Sequence, residues 1–159
     1  MHDISLKEFE RIFTYNPETG ILSKVDNPLY RPRYSEYLSS AFVTFSVHHL
    51  RSDFDGPKVT TCANKVAFYL GNLQVTGKRV WPGQVINLDN NPLNFKFSNL
   101  RAYKEGSRYN PTDFDDSKGV RPIKGNKFVV RFRNKHCGTF NSWEEALLIK
   151  KKALDEILL

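Results

Sequence analysis

The sequence predicts an α+β protein built in two parts, and three observations carry that prediction. Short stretches around 41–47 and 127–133 alternate apolar and polar residues, the period of a half-buried strand. Stretches near 5–13, 63–70 and 143–158 instead place their apolar residues on one helical face. Between these patterns, Tyr109–Ser117 (YNPTDFDDS) combines Pro111 with three aspartates and little apolar content, which reads as a linker centred on 111–117. The expected division is therefore 1–110, a linker at 111–117, and 118–159. A hydrophobic content of 40% with 13% aromatics suffices for packed cores.

In the first part, Ser5 and Glu8 form a capping box, and Leu6, Phe9, Ile12 and Phe13 follow on one face. Asn16-Pro17-Glu18-Thr19-Gly20 is a turn, because proline presets one backbone angle and glycine accepts a positive one. Ile21-Leu22 starts a short strand, and the polar, tyrosine-rich 28–39 reads as a loop. Ala41, Val43, Phe45 and Val47 make one strand face, with Lys58–Cys62 as the return strand after a loop at Asp53–Pro57. His48 and His49 are adjacent, so on a strand they face opposite sides and cannot share a metal ion easily. Ala63–Leu70 is expected to be helical with Val66, Ala67 and Leu70 inward, and Gly77–Gly83 to be a loop.

The net charge of +7 favours a polyanionic partner, nucleic acid above all. No apolar run reaches the ~20 residues of a membrane-spanning helix, and the start MHDISLKEFE lacks a signal-peptide core. Cys62 and Cys137 stand alone, without zinc-site or disulfide spacing. A cytoplasmic protein without a cofactor or membrane partner is expected.

Val85–Arg101 reads VINLDNNPLNFKFSNLR. Leu88-Asp89, Asn91-Pro92-Leu93-Asn94 and Asn99-Leu100-Arg101 resemble the centre of the HNH motif of phage homing endonucleases, a ββα-metal site. Tyr15–Gly20, Trp81-Pro82 and the step Gly83-Gln84 are similar to other parts of that family. The residues that carry its chemistry differ. The resemblance places the first histidine on Asn64, the metal-binding aspartate on Ile86, the general-base histidine on Asn87, and a second asparagine on Phe95. An amide has no useful basicity, and an isoleucine cannot ligate a metal ion. After Arg101 the family adds one more Asn or His ligand from a helix, for which Asn110 is the candidate, with Ser107 or Arg108 equally placed to stand at that position. The resemblance thus implies a pseudo-nuclease frame whose Asp89, Asn91, Asn94 and Asn99 tie the loop while Leu88, Leu93, Phe97 and Leu100 pack it. Phe95 would fill the former pocket.

From Lys118 a second pattern begins. Gly119-Val120-Arg121, Lys127-Phe128, Gly138-Thr139-Phe140 and Glu144-Glu145-Ala146 are similar to the AP2 DNA-binding domain, a three-stranded antiparallel sheet packed on one helix. The residues agree on their own terms. Phe128, Val130 and Phe132 point one way, and Lys127, Arg131 and Arg133 the other. Ser142 and Glu145 form a capping box that opens a helix to about Leu158, with Ala146, Ile149, Ala153 and Ile157 along one side, Leu154 and Leu158 widening the stripe, and Lys150-Lys151-Lys152 on the solvated side.

The expected function is double-stranded DNA binding without cleavage, as in a phage-encoded regulator. Arg121, Arg131 and Arg133 would read or position the duplex, supported by Lys127, with Lys96 and Arg101 gripping phosphates beside Lys65, Lys78 and Arg79. Two rival classes remain. One is an inhibitor of a host enzyme or defence complex. The other is a diverged metal-dependent endonuclease using His48, His49 or Asp89, since none of the four histidines (His2, His48, His49, His136) occupies a motif position.

Overall fold

A computed structural model describes residues 6–46 and 58–159. Ser5, Val47, the two adjacent histidines and the Asp53–Pro57 loop lie outside the described residues. The described residues are mixed α+β, with small antiparallel sheets and three α-helices, and the chain divides into two compact units at Glu105/Gly106.

The first unit begins with α1 (Leu6–Ile12), β1 (Phe13–Tyr15) and β2 (Leu22–Lys24), the two strands pairing antiparallel. β3 (Arg33–Ser35), β4 (Ser40–Ser46) and β5 (Lys58–Cys62) form a second sheet with β4 in the middle. Ala41, Val43 and Phe45 of β4 are buried, as the alternation predicts. β3 falls inside the stretch expected to be loop. Helix α2 (Ala63–Thr76) follows directly on β5 and ends six residues beyond the expected Leu70. It buries Val66 through Gly71 without a break, so it is enclosed on nearly all sides, which a one-faced amphipathic reading does not anticipate. β6 (Val85–Asn87) and β7 (Leu100–Ala102) then pair as a hairpin, with a 3-10 turn at Phe97–Asn99 between them.

The turn at 16–20 is docked on this hairpin's loop. The Asn16 Oδ1 accepts the Glu18 and Thr19 N–H groups at 2.9 and 3.2 Å, closing the turn. The Phe97 N–H donates to the Pro17 carbonyl at 2.9 Å, and the Tyr15 hydroxyl donates to the Phe95 carbonyl. Gly20, at φ +74°, sits so close that a Cβ there would stand 2.4 Å from the Lys96 nitrogen. Around these contacts Phe9 stacks on Trp81 with ring centroids 4.8 Å apart, and Phe68 on Phe97 at 5.5 Å.

The second unit is a three-stranded antiparallel meander with one helix on it. β8 (Val120–Ile123), β9 (Lys127–Phe132) and β10 (Lys135–Phe140) lie in the order β10-β9-β8. Helix α3 (Trp143–Asp155) is capped by Ser142, whose Oγ accepts the Glu145 N–H at 3.1 Å. Its Ala146 packs on Val120 and Val130, with Phe128, Phe140, Trp143, Leu147 and Ile149 around them.

Residues 111–117 are not a free linker. They belong to the second unit and are clamped to it by two cations. Lys150, expected on the solvated side of α3, is 3% exposed, and its ammonium donates to the Thr112 carbonyl at 3.1 Å and to the Asp115 carbonyl. Burial lowers its pKa, and the nearby Asp116, Asp115 and Asp113 oppose that shift. The buried stripe of α3 accordingly runs through Ala146, Lys150 and Leu154 instead of through Ala153 and Ile157.

Gly20→Ala is expected to lower the unfolding free energy by about 2–4 kcal/mol, adding a left-handed backbone cost to a backbone clash. Gly77→Ala has the same backbone sign at φ +72° but open space around it, so about 1 kcal/mol is expected. Urea denaturation of the two variants checks the difference.

Candidate nucleic-acid interface

Register decides which side chains share the face of the sheet turned away from α3. Val130 pairs with Val120 on one side and Gly138 on the other, and this inward row meets the helix. Arg121 is opposite Val129, which is opposite Thr139; Ile123 is opposite Lys127; Arg131 is opposite His136. Directly opposed residues share a face, so Arg121, Lys127, Arg131 and His136 stand together with Ile123, Val129 and Thr139. A bulge between His136 and Gly138 absorbs Cys137 and keeps His136 on this outward face. None of the three strands contains a carboxylate.

Arg121 and Arg131 flank an open depression of about 420 Å³ whose lining also includes Val129, His136 and Gly119. Among the described residues, neither guanidinium has a hydrogen-bond or ion-pair partner, and Arg121, Lys127 and Arg131 are exposed. Solvated cations that the fold does not use are what a polyanion contact requires.

Arg133 stands elsewhere. Arg133 and Asn134 form the two-residue β9–β10 turn, both with positive φ (50° and 65°), so the strand alternation stops at Phe132. Its guanidinium is bonded to both carboxylate oxygens of the buried Asp113 and to the Arg108 carbonyl. Asp113 is thus a structural counter-ion and not part of an acidic metal cluster. Asp115 is engaged too: its carboxylate accepts the Ser117 hydroxyl and N–H, which hold its pKa below the usual carboxylate value.

In the first unit, the positions similar to the HNH centre form a network of amides. The Asn64 Nδ2 donates to the Val85 carbonyl at 2.8 Å and to the Asn87 Oδ1 at 3.4 Å, while the Asn87 Nδ2 donates to the Asn94 carbonyl at 2.9 Å. Asn64 and Asn87, the two positions where the resemblance expects histidine, therefore meet amide to amide. Ile86 precedes Asn87 on β6 and is partly exposed, and Phe95 is 5% exposed within the core. Asp89 accepts the Asn91 N–H and the amides of Asn94 and Asn99, at 2.7–3.0 Å. The Asn94 amide, then the Asn91 N–H, hold its carboxyl below the usual carboxylate pKa. The Asn99 Oδ1 in turn accepts the Asp89 N–H at 3.0 Å. Phe97 and Leu100 pack the loop as expected, but Leu88 and Leu93 are exposed.

No helix follows this hairpin within the unit; α2 precedes it, and Asn110 belongs to the second unit, where its Oδ1 accepts from Thr112. Among the described residues, no three His, Cys, Asp or Glu side chains gather to hold a metal ion. The basic residues of this unit differ in freedom. Lys96 is exposed, whereas the Arg101 guanidinium folds back on the Ser98 and Leu100 carbonyls at 3.1 and 2.8 Å. Arg79 pairs with Glu10 at 2.7 Å, depressing the Glu10 pKa; Glu10 also accepts the Tyr69 hydroxyl, and burial raises Tyr69 to about 12.

No family model, curated protein or solved structure matches the chain.

Sequence reasoning missed His136, because its face depends on the bulge at Cys137. Its only trace in the sequence is the Cys-Gly pair inside a strand.

Arg133→Ala should destabilise the second unit by about 3–5 kcal/mol, because it takes the paired guanidinium charge away from the buried Asp113 carboxylate. Arg121→Ala should change stability by less than about 0.5 kcal/mol, as for an exposed position with no partner. Thermal or urea unfolding followed by circular dichroism separates the two roles.

Proposed function

We propose that the chain binds double-stranded DNA through the outward face of the β8–β9–β10 sheet and does not cut it, as in a phage-type regulator. The observation that carries this reading is the unpartnered pair Arg121 and Arg131 on a face without a carboxylate. Three strands span about 10 Å across the sheet, close to the ~12 Å width of the B-DNA major groove. Lys127 extends the cationic surface and His136 adds a ring nitrogen donor beside it, and Lys96, exposed on the first unit, is a phosphate contact of that unit on its own. Arg133 leaves the set of DNA contacts, since Asp113 holds it, and Arg101 leaves it because its own hairpin does.

The non-catalytic part of the reading is supported by the amide network of Asn64, Asn87 and Asn94. Those groups are donors and acceptors to one another and to backbone, and none is a base that could activate water.

Fluorescence anisotropy with a labelled duplex tests this. Tight binding at low salt is expected, weakening steeply as salt rises. Arg121→Ala and Arg131→Ala should each cost about 1–3 kcal/mol of affinity if they reach bases, or lower the salt slope by about one if they reach phosphates. Supercoiled plasmid should be retarded but not nicked with Mg²⁺, Mn²⁺ or EDTA. Metal-dependent nicking, or duplex binding indifferent to both arginine changes, would contradict the proposal.

A further inference from the structure

We infer that Val129 makes the sheet face a reader of the thymine 5-methyl group, an inference that rests on the duplex-binding reading above. Val129 is the central outward residue of the central strand. Arg121 stands opposite it on β8, Thr139 opposite it on β10, and Arg131 two residues along β9, so cations flank an apolar floor. Adjacent same-face residues on paired strands are about 5 Å apart, and residues i and i+2 about 7 Å.

On a surface that met only phosphates, a half-buried β-branched residue at its centre would serve the strand but make no favourable contact with the ligand. Phosphate oxygens need donors, and pressing them against Val129 would leave them without any. A base edge is different. Among the groups in the major groove, the thymine methyl is the apolar one; the others are hydrogen-bond donors and acceptors. Val129 supplies the matching contact, and Arg121 and Arg131 supply donors suited to guanine O6 and N7 or to phosphates on either side. Thr139, directly across from Val129, offers both a methyl and a hydroxyl to the same neighbourhood. The sheet thereby assigns Val129 to base discrimination and the arginines mainly to affinity.

The test uses the full chain and duplexes recovered by selection from a random-sequence pool, each prepared with thymine and again with uracil replacing one thymine at a time. Uracil keeps every hydrogen-bonding group and removes only the methyl. For the wild type, at least one position should lose about fourfold in affinity on that replacement, the worth of one buried methyl-sized group. Val129→Ala should bind the thymine duplex about that much more weakly and show no thymine–uracil difference there. Equal wild-type affinity for every thymine and uracil duplex overturns the inference while leaving duplex binding intact. A discrimination that survives in Val129→Ala assigns it to another residue and overturns the inference as well. Failure of the wild type to bind any duplex removes the functional reading itself, and with it this inference.

Discussion

A three-stranded sheet carried by a single helix can hide only one of its faces, and the second unit is arranged around that constraint. Val120, Phe128 and Val130 must leave water, and α3 with Ala146 at its centre gives them the surface to do so, while Phe132 on the same side of β9 is buried too. Each strand alternates, so committing these residues inward commits Lys127, Val129 and Arg131 outward. A one-residue slip would reverse both sets together. The β10 bulge lets that strand keep Phe140 inward and His136 outward despite an extra residue. The basic face is thus a consequence of how the core is packed, and its side chains are left to solvent and to ligands.

The same unit holds two cations that do the opposite work. Lys150 and Arg133 are turned to the 106–118 segment, one satisfying carbonyls and the other a buried carboxylate. A buried ammonium or carboxylate without partners would cost several kcal/mol, so these bonds make the segment part of the fold. Positive charge alone therefore does not identify a DNA contact here. What separates Arg121 and Arg131 from Arg133 and Lys150 is whether the fold has already supplied an acceptor. In the first unit the same principle applies to Asp89, whose acceptor capacity is taken up by Asn91, Asn94 and Asn99.

Much of this was legible from residue order. The alternation of Ala41, Val43 and Phe45, the Lys58–Cys62 return strand, the Ser142 cap and the asparagine ties of the 89–99 loop all follow from local pattern or local hydrogen bonding. What was not legible depends on distant partners. The burial of Lys150 is decided by carbonyls more than thirty residues away, and a lysine beside two others on a helix gives no local sign of that. Arg133 continues the strand pattern in sequence, yet a two-residue turn takes it off the strand. Residues 111–117 look like solvent-facing linker by composition, because the cations that hold them lie on β9's turn and α3. Helix α2 buries every residue from Val66 to Gly71, which erases the helical period there, and its last residues, Gln74 to Thr76, are exposed and carry no apolar pattern that would mark where it ends.

The most direct measurement is an amide and side-chain NMR titration of the full chain with a duplex. The account predicts that shifts concentrate on Arg121, Lys127, Val129, Arg131, His136 and Thr139, while Arg133 and the α3 residues Ala146, Lys150 and Leu154 stay still. Shifts concentrated on α3, or confined to the first unit, would contradict it.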